Sequence, residues 1–490
     1  MEKMHFFLLG KARALINHSH FIIFGAWLSL GMVALQAAEI PKAANPFLIE
    51  SKKKPHQEWK PQTTYTLRQL VGYTAQPDPD YSKYGGIAGT QFPAKGFFYT
   101  YKHNGRWWLV DPDGHLYIHK AVCCVSPDKG PSFKEAFDQK FGTDEVWADE
   151  ATAALVDLGF NGTAAWSSNH LLRASKKPLP YTTKWSFMSS YAKEKGRAKM
   201  GEGNHKYTNE VMPVFDPEFK TFADEHAKQL IETKDDPYLI GHFSDNELPF
   251  RKNILERCLK LEPDSNEHKE AKRWLKEQGN STPEMDKLTA DEKEGFFAHY
   301  AASYYSVVSE AIKKYDPNHL YLGSRVIGVH RDETMMRTYG KFVDIMSMNW
   351  YGDWLLPAEL MENWGKWADK PFIISEWYSK ALDIPGLISD SGAGWLVRTQ
   401  EERGHYYQNM ILNLTARKNN VGWHWFRYTD NDPLNEKVDP SNRNSNKGIF
   451  GWDYEPYPEL ASAMKEVNDQ AYRLIEFFDE TSYESASAKK

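Results

Sequence analysis

Cysteine is scarce in this chain. Three occur among 490 residues, too few for a disulfide framework. Cys123 and Cys124 are neighbours on an apolar run, where adjacent side chains face opposite sides of a strand, and Cys258 stands alone in a charged helical stretch. Buried free thiols are the expectation. Excess positive charge is missing too: a net charge of -6 leaves no basic footprint for nucleic acid. Past the N-terminus no apolar run is long enough to cross a bilayer. No glycine-rich phosphate fingerprint follows any candidate strand, which weighs against a doubly wound nucleotide fold. No GxSxG elbow offers a serine nucleophile. The histidines assemble no metal site, since His115 and His119 are four apart on a strand and that spacing brings ligands together only on a helix. No cofactor is called for.

Apolar and aromatic residues are plentiful. Apolar residues make up 41% of the chain, enough for a large core. The 17 Trp and 26 Tyr serve packing, and they also supply flat faces on which sugar rings stack. Residues 1–38 read as an export signal. Lys3, Lys11 and Arg13 form a basic start, an apolar run from Phe21 to Leu35 follows, and Ala37 and Ala38 offer a cleavage site. That run is shorter than the roughly 20 residues a membrane span needs. The mature chain is therefore expected to be secreted or periplasmic, with an uncleaved N-terminal anchor as the competing reading.

Residues 39–95 are polar and weakly periodic, and suggest an extended arm over a barrel floor. FFYTYKHNGRWWLVDPDGHLYIH reads as a hairpin, its aromatic and β-branched runs separated by the turns HNG and DPDG. Short apolar strands then alternate with amphipathic helices, the pattern of parallel α/β architecture. The strand candidates are 116–125, 159–166, 179–185, 238–247, 320–328, 343–351, 371–377 and 421–428. Eight such strands predict a (β/α)8 TIM barrel over 96–475. A charged, helix-rich insertion at 251–294, after the fourth strand, reads as a cap over the mouth or a peripheral excursion. Residues 476–490 are expected to fray.

Barrel enzymes build their sites at the carboxyl ends of strands. YLIGHFSDNE ends the fourth strand at Glu247, and PFIISEW carries Glu376 at the end of the seventh. A lone glutamate at such a position is more often a salt-bridged rim residue, because burying a charge is costly unless it is paired or used. Two of them, on strands across the ring, can face each other over the mouth. A retaining glycosidase needs that pair about 5–5.5 Å apart, one protonated and one ionised. Glu247 is the expected acid/base, its pKa above that of Glu376, the expected nucleophile. Asn246 would hydrogen-bond the sugar 2-hydroxyl.

An Asn-Glu on strand four followed by a Glu on strand seven resembles the clan A glycoside hydrolases. WWLVDPDGHLYIH, ISEWYSKALD, TQEERGHYYQNM and VGWHWFRYTDND are similar, in that order, to glycoside hydrolase family 50, the β-agarases, from about Gly105 to Leu460. The resemblance implies hydrolysis of a β-linked galactose-containing polysaccharide or oligosaccharide with retention, and assigns catalytic roles to Glu247 and Glu376 alone. Family members usually carry a β-sandwich-like module ahead of the barrel, for which the stretch before Gly96 is too short. Agarose, porphyran, carrageenan-type galactans and other plant or algal glycans stay open. So do a β-glucanase, β-mannanase or β-galactosidase activity and a non-catalytic glycan-binding barrel.

Further candidates surround the pair. Tyr351, ending strand six, is placed to hydrogen-bond the nucleophile, with Asn349 beside it; a rim tyrosine is the plainer reading. Arg325 on strand five offers a charge-assisted bond to either glutamate, or a purely structural ion pair. Trp423 and Trp425 share one side of strand eight and His424 takes the other. Trp425 is the expected floor of the sugar subsite, with Trp166 and Trp377 stacking on neighbouring rings. Asp430 and Asp432 follow strand eight, where they suit sugar hydroxyls; no recognisable calcium loop surrounds them.

Overall fold

The computed structural model describes residues 40–201, 205–436 and 443–488; the expected export signal lies outside the described residues. No helix among those described is long and apolar enough to cross a membrane. The core is a ring of eight parallel strands, here β1 (His119–Val122), β2 (Gly162–Thr163), β3 (Tyr181–Lys184), β4 (Leu239–Phe243), β5 (Leu320–Tyr321), β6 (Met346–Asn349), β7 (Phe372–Trp377) and β8 (Asn420–Trp425). Hydrogen bonding runs in the order β5-β4-β3-β2-β1-β8-β7-β6. A parallel bridge between Val326 and Met348 joins the two ends, as a (β/α)8 barrel requires. Strands buried on both faces need continuous apolar sequence, and β4, β7 and β8 are buried at every residue.

Three of the helices between them start at threonines that cap them. The Thr143 side chain accepts from Val146 N ahead of Asp144–Asp157. Thr289 with Glu292, and Thr399 with Glu402, form capping boxes for Ala290–Tyr315 and Gln400–Thr415. In each case the side chains satisfy backbone N–H groups that the first helical turn leaves without partners.

The stretch 116–125 is not one strand. Leu116–Tyr117 pairs antiparallel with Arg106–Val110, itself hairpinned to Tyr99–His103, and only His119–Val122 enters the barrel. The arm has two parts. Residues around 84–98 underlie the amino ends of the strands, with Tyr84 against Tyr238, Phe98 against Tyr117 and Phe97 against His319 at centroid distances of 4.9, 5.1 and 5.1 Å. A hairpin of Phe47–Ser51 and Lys60–Thr64 instead climbs the outside, where Lys52 and Leu396 exchange backbone hydrogen bonds.

The insertion forms helices Ile254–Leu259 and Asn266–Glu277. Its ion pairs, Arg251 and Arg257 to Glu210 and Glu267 to Arg197, tie it to the segment after β3. The described part of the tail, residues 476–488, does not fray. Tyr483 is 1% exposed and sits edge-on to Trp108, while Gln91 exchanges backbone hydrogen bonds with Ala486 and Ala488. Burying that ring gives the segment the apolar anchor its polar composition conceals.

Candidate active site

Glu247 and Glu376 meet at the carboxyl end of the ring. The Asn349 side-chain nitrogen donates to Glu247 Oε1 at 2.8 Å and lies 3.4 Å from Glu376 Oε2. Two oxygens so close to one nitrogen lie no more than about 6 Å from each other. Glu376 is 8% exposed. Tyr351 Oη donates to its Oε1 at 2.6 Å, and the Arg325 guanidinium is bonded to its Oε2. Arg325 Nε also donates to Asn246 Oδ1 at 2.8 Å, and a second guanidinium nitrogen to the Ser375 carbonyl at 2.8 Å. A buried arginine thus orients the nucleophile candidate and the asparagine beside the acid candidate together. Glu247 itself is half-buried.

Local backbone explains the aim of these groups. Met348 pairs with Ile374 but Asn349 with Glu376, so β7 carries one extra residue, Ser375. Such a bulge re-aims the next side chain. Five consecutive strands, β1 to β5, are followed by a residue in the left-handed region: Cys124, Trp166, Ser186, Glu247 and Arg325, with φ of 57, 63, 62, 51 and 50°. Each costs about 1–2 kcal/mol relative to right-handed backbone. Strain of this kind clusters at functional sites, where it presents side chains that regular strands would turn away.

Charge and burial shape the tyrosine and the arginine. Burial, then the charge of Glu376, push the Tyr351 phenol well above its usual range, so it remains a donor. For Arg325 burial acts downward, but Cys123, Glu376 and Glu247 outweigh it and raise the pKa. Trp166 is 39% exposed and covers the guanidinium, with Arg325 4.5 Å from its ring centroid. One face of its indole packs in a cation–π contact at the rim of the site.

The structure brings together Glu247, Glu376, Asn246, Arg325, Asn349 and Tyr351, with Trp166 beside them. It corrects three other expectations. Trp377 and Trp425 are 0% exposed and packed edge-to-face at 5.0 Å, both against Tyr407 of the helix behind the strands. His424, not the tryptophans, occupies the barrel side of β8, where its ring nitrogen lies 2.9 Å from that of His119. Alternation is obeyed; the tryptophans belong to the helix-facing side and offer no sugar platform. Asp430 is fully buried, accepting from Asn446 and from Gly448 N at 2.7 Å beside Arg403. It braces the loop after β8 and cannot reach a substrate.

Sequence reasoning missed several contributors. Asp245 is buried and accepts from Met188 N, from Ser189 N and Oγ, and from Tyr304 Oη, at 2.7–3.0 Å. It pins the turn that carries Asn246 and Glu247. Its place in SDNE, one residue ahead of a functional Asn-Glu, was the available signal. Lys53, from the climbing hairpin, donates to the Tyr351 carbonyl. Nothing local in the arm announces that contact. Among the described residues one cluster could hold a metal by type, His242, Asp316 and His319. Its imidazole nitrogens are already engaged by Asp316, Thr183, Trp185 and the Asp236 carbonyl, which marks it as a structural network.

A ring of eight parallel strands with two glutamates at carboxyl ends across its mouth is the arrangement of a carbohydrate-active barrel. No family model matches the chain. It is 25% identical to β-agarase B of Vibrio sp. (strain JT0107) over 532 aligned positions, which cover 87% of this chain and 53% of that protein. It is 26% identical to β-agarase A of the same strain, over 68% of this chain and 37% of that one. The chain thus spans about half the length of the first relative and less of the second. Among solved structures, BpGH50 superposes with a TM-score of 0.78 at 28% identity, covering 89% of this chain and 96% of that one. The agarase AgWH50C gives 0.67 at 23% identity, covering 81% and 67%, a likeness of fold alone. Sequence and fold together make this a β-agarase-like chain, similar to glycoside hydrolase family 50.

Proposed function

We propose that this chain is an exported retaining glycoside hydrolase that cleaves β-linked galactose-containing polysaccharide or oligosaccharide with Glu247 and Glu376. The observation that carries the reading is the shared Asn349 nitrogen, within 3.4 Å of both carboxylates, while Arg325 and Tyr351 both bond Glu376. A carboxylate held by a guanidinium and a phenol is stabilised as the anion, the form that attacks an anomeric carbon. Glu247, half-buried and bonded by the Asn349 amide, takes the protonated role. It would give its proton to the leaving glycosidic oxygen as the Glu376 oxygen bonds to the anomeric carbon. Water, deprotonated by Glu247, then releases the sugar from Glu376 and regenerates both groups. Asn246, oriented by Arg325, would hydrogen-bond the 2-hydroxyl.

The test is incubation of the purified chain with agarose, porphyran, carrageenan and plant β-glycans, followed by sizing of products and determination of the anomer first released. Glu376→Gln should lose turnover by about 10³-fold or more while still binding glycan. Release of the inverted anomer, or unchanged turnover in the variant, would overturn the mechanism. Cleavage of glucans or mannans alone would move the substrate to another β-glycan.

A further inference from the structure

Beside the glutamates stands a second group of basic side chains. It comes from three separate parts of the chain. The climbing hairpin brings Lys53 and Lys54, the segment after β7 brings Lys380, and the segment after β8 brings Arg427 and Lys447. Lys53 Nζ bonds to the Tyr351 carbonyl and lies 3.9 Å from the Trp395 ring centroid. Lys380 Nζ donates to the Ser391 carbonyl at 2.7 Å, and Lys54 Nζ to the Gly392 carbonyl at 3.3 Å. Lys447 Nζ reaches the same glycine, where an added Cβ would stand 3.0 Å from it, and it lies 5.1 Å from the Tyr378 ring centroid. Arg427 N donates to the Lys447 carbonyl. Tyr378 in turn packs edge-on to Tyr351 at 5.3 Å, so one aromatic contact separates this cluster from the group that holds Glu376.

Negative charge to match Lys53, Lys54 and Lys380 is short. Among the described residues, Lys53, Lys54 and Lys380 form no ion pair within 4.0 Å, and their bonds go to backbone carbonyls. Asp353, the acid nearest Lys53, is already bonded to Arg331. Asp390, the acid facing Lys380, is exposed. Burial, and then the ammonium groups on one another, bring both Lys53 and Lys380 down to about 7. Gathering like charges in a partly buried wall is costly unless an opposite charge arrives. Such groupings persist where a ligand supplies it.

We propose that this cluster is an anion subsite beside the nucleophile, and that the galactan cleaved here carries a sulfate ester or a carboxylate near the scissile bond. The inference rests on the hydrolase reading and narrows its substrate to an anionic glycan. Lys54 and the half-buried Lys53 and Arg427 face the anion, and Lys380 and Lys447 lie fully buried behind them.

The test compares three matched galactan oligosaccharides, one sulfated, the same one after desulfation, and one bearing a uronate. Specificity constants are measured with the full chain, and affinities with Glu376→Gln by calorimetry. The charged ligands should lead the neutral one by about tenfold or more. The lead should shrink as salt is raised from about 0.05 to 0.5 M, and by at least about fivefold in Lys54→Gln and Lys53→Gln, through KM rather than kcat. Which charged arm leads identifies the anion. The calorimetric arm does not depend on turnover. If no glycan is cleaved, the hydrolase reading fails while binding still decides the subsite. Equal binding of charged and neutral ligands, binding of none, or a lead that both lysine variants leave intact would overturn it.

Discussion

Tyr351→Phe removes one atom from the site and tests whether Glu376 is held as an anion for catalysis. The phenol donates to Glu376 Oε1 at 2.6 Å, and the rest of the residue stays in place. Its ring keeps the edge-on contact with Tyr378, and its backbone carbonyl still accepts from Lys53. A hydrogen bond to a charged group contributes about 1.5–3 kcal/mol, which corresponds to roughly 10- to 150-fold in rate. The carboxylate is 8% exposed, so water substitutes poorly for the lost donor and the upper half of that range is expected. The assay is kcat/KM on a galactan oligosaccharide that the parent chain cleaves, with thermal unfolding alongside to show that the fold is unchanged. The removed oxygen bonds Glu376, so binding should change less than turnover. A loss below about threefold, in a variant that unfolds with its parent, would refute the role given to this hydrogen bond.

Three further outcomes follow from other parts of the molecule. Trp166→Ala should raise KM several-fold with little change in unfolding, since the ring is exposed at the rim, whereas Trp425→Ala should cost about 3–5 kcal/mol of stability by urea titration; the reverse pattern would restore Trp425 as the sugar platform. Asp245→Ala should strip a buried acceptor from four donors and destabilise by about 3–5 kcal/mol, measured by the same titration, and a neutral result would mean the turn before Glu247 needs no such anchor. Lys380, fully buried, with Lys54 and Asp390 as the charges acting on it, has its pKa lowered from 10.5 to about 7 mainly by burial. The unfolded chain therefore binds more protons between those values, so this residue's penalty is fully present below about pH 7 and is relieved as pH rises toward 10.5. Stability should climb across that window, and Lys380→Met should flatten the climb.

The ring of strands was legible because its signal is local. The barrel strands fall on the stretches read as strands, and three of the helices behind them begin at threonines followed three positions later by Glu or Val. The one misdrawn strand, 116–125, failed because Ile118 divides two partners, an antiparallel hairpin and the barrel. Nothing in its apolar sequence marks the change. The tail was misread for a related reason. Its polar residues hide one tyrosine that finds Trp108 across the molecule.

The site was legible to the extent that it follows from strand ends. Glu247 and Glu376 close β4 and β7, and Tyr351, Asn349 and Arg325 close their neighbours. What alternation alone could not decide was which face is occupied by what. On β8 the aromatic signal was strongest at Trp423 and Trp425, yet those side chains are the ones the helix Gln400–Thr415 needs, and Trp423 Nε1 is used by Tyr407 Oη at 3.2 Å. A large indole adds more by burial against a helix than by partial exposure to sugar, so the tryptophan available for stacking is the one at a turn, Trp166, where the chain leaves the strand with φ of 63°. The same logic applies to the lysines. In sequence they are scattered polar residues, Lys53 and Lys447 nearly four hundred positions apart. Only the fold, which sets the ends of β7 and β8 side by side while the arm climbs their outer side, gathers them, with Lys54 and Lys447 meeting at Gly392. Sequence thus reveals the paired glutamates, because the barrel fixes where they must stand. The basic cluster comes from connections the barrel leaves free to vary.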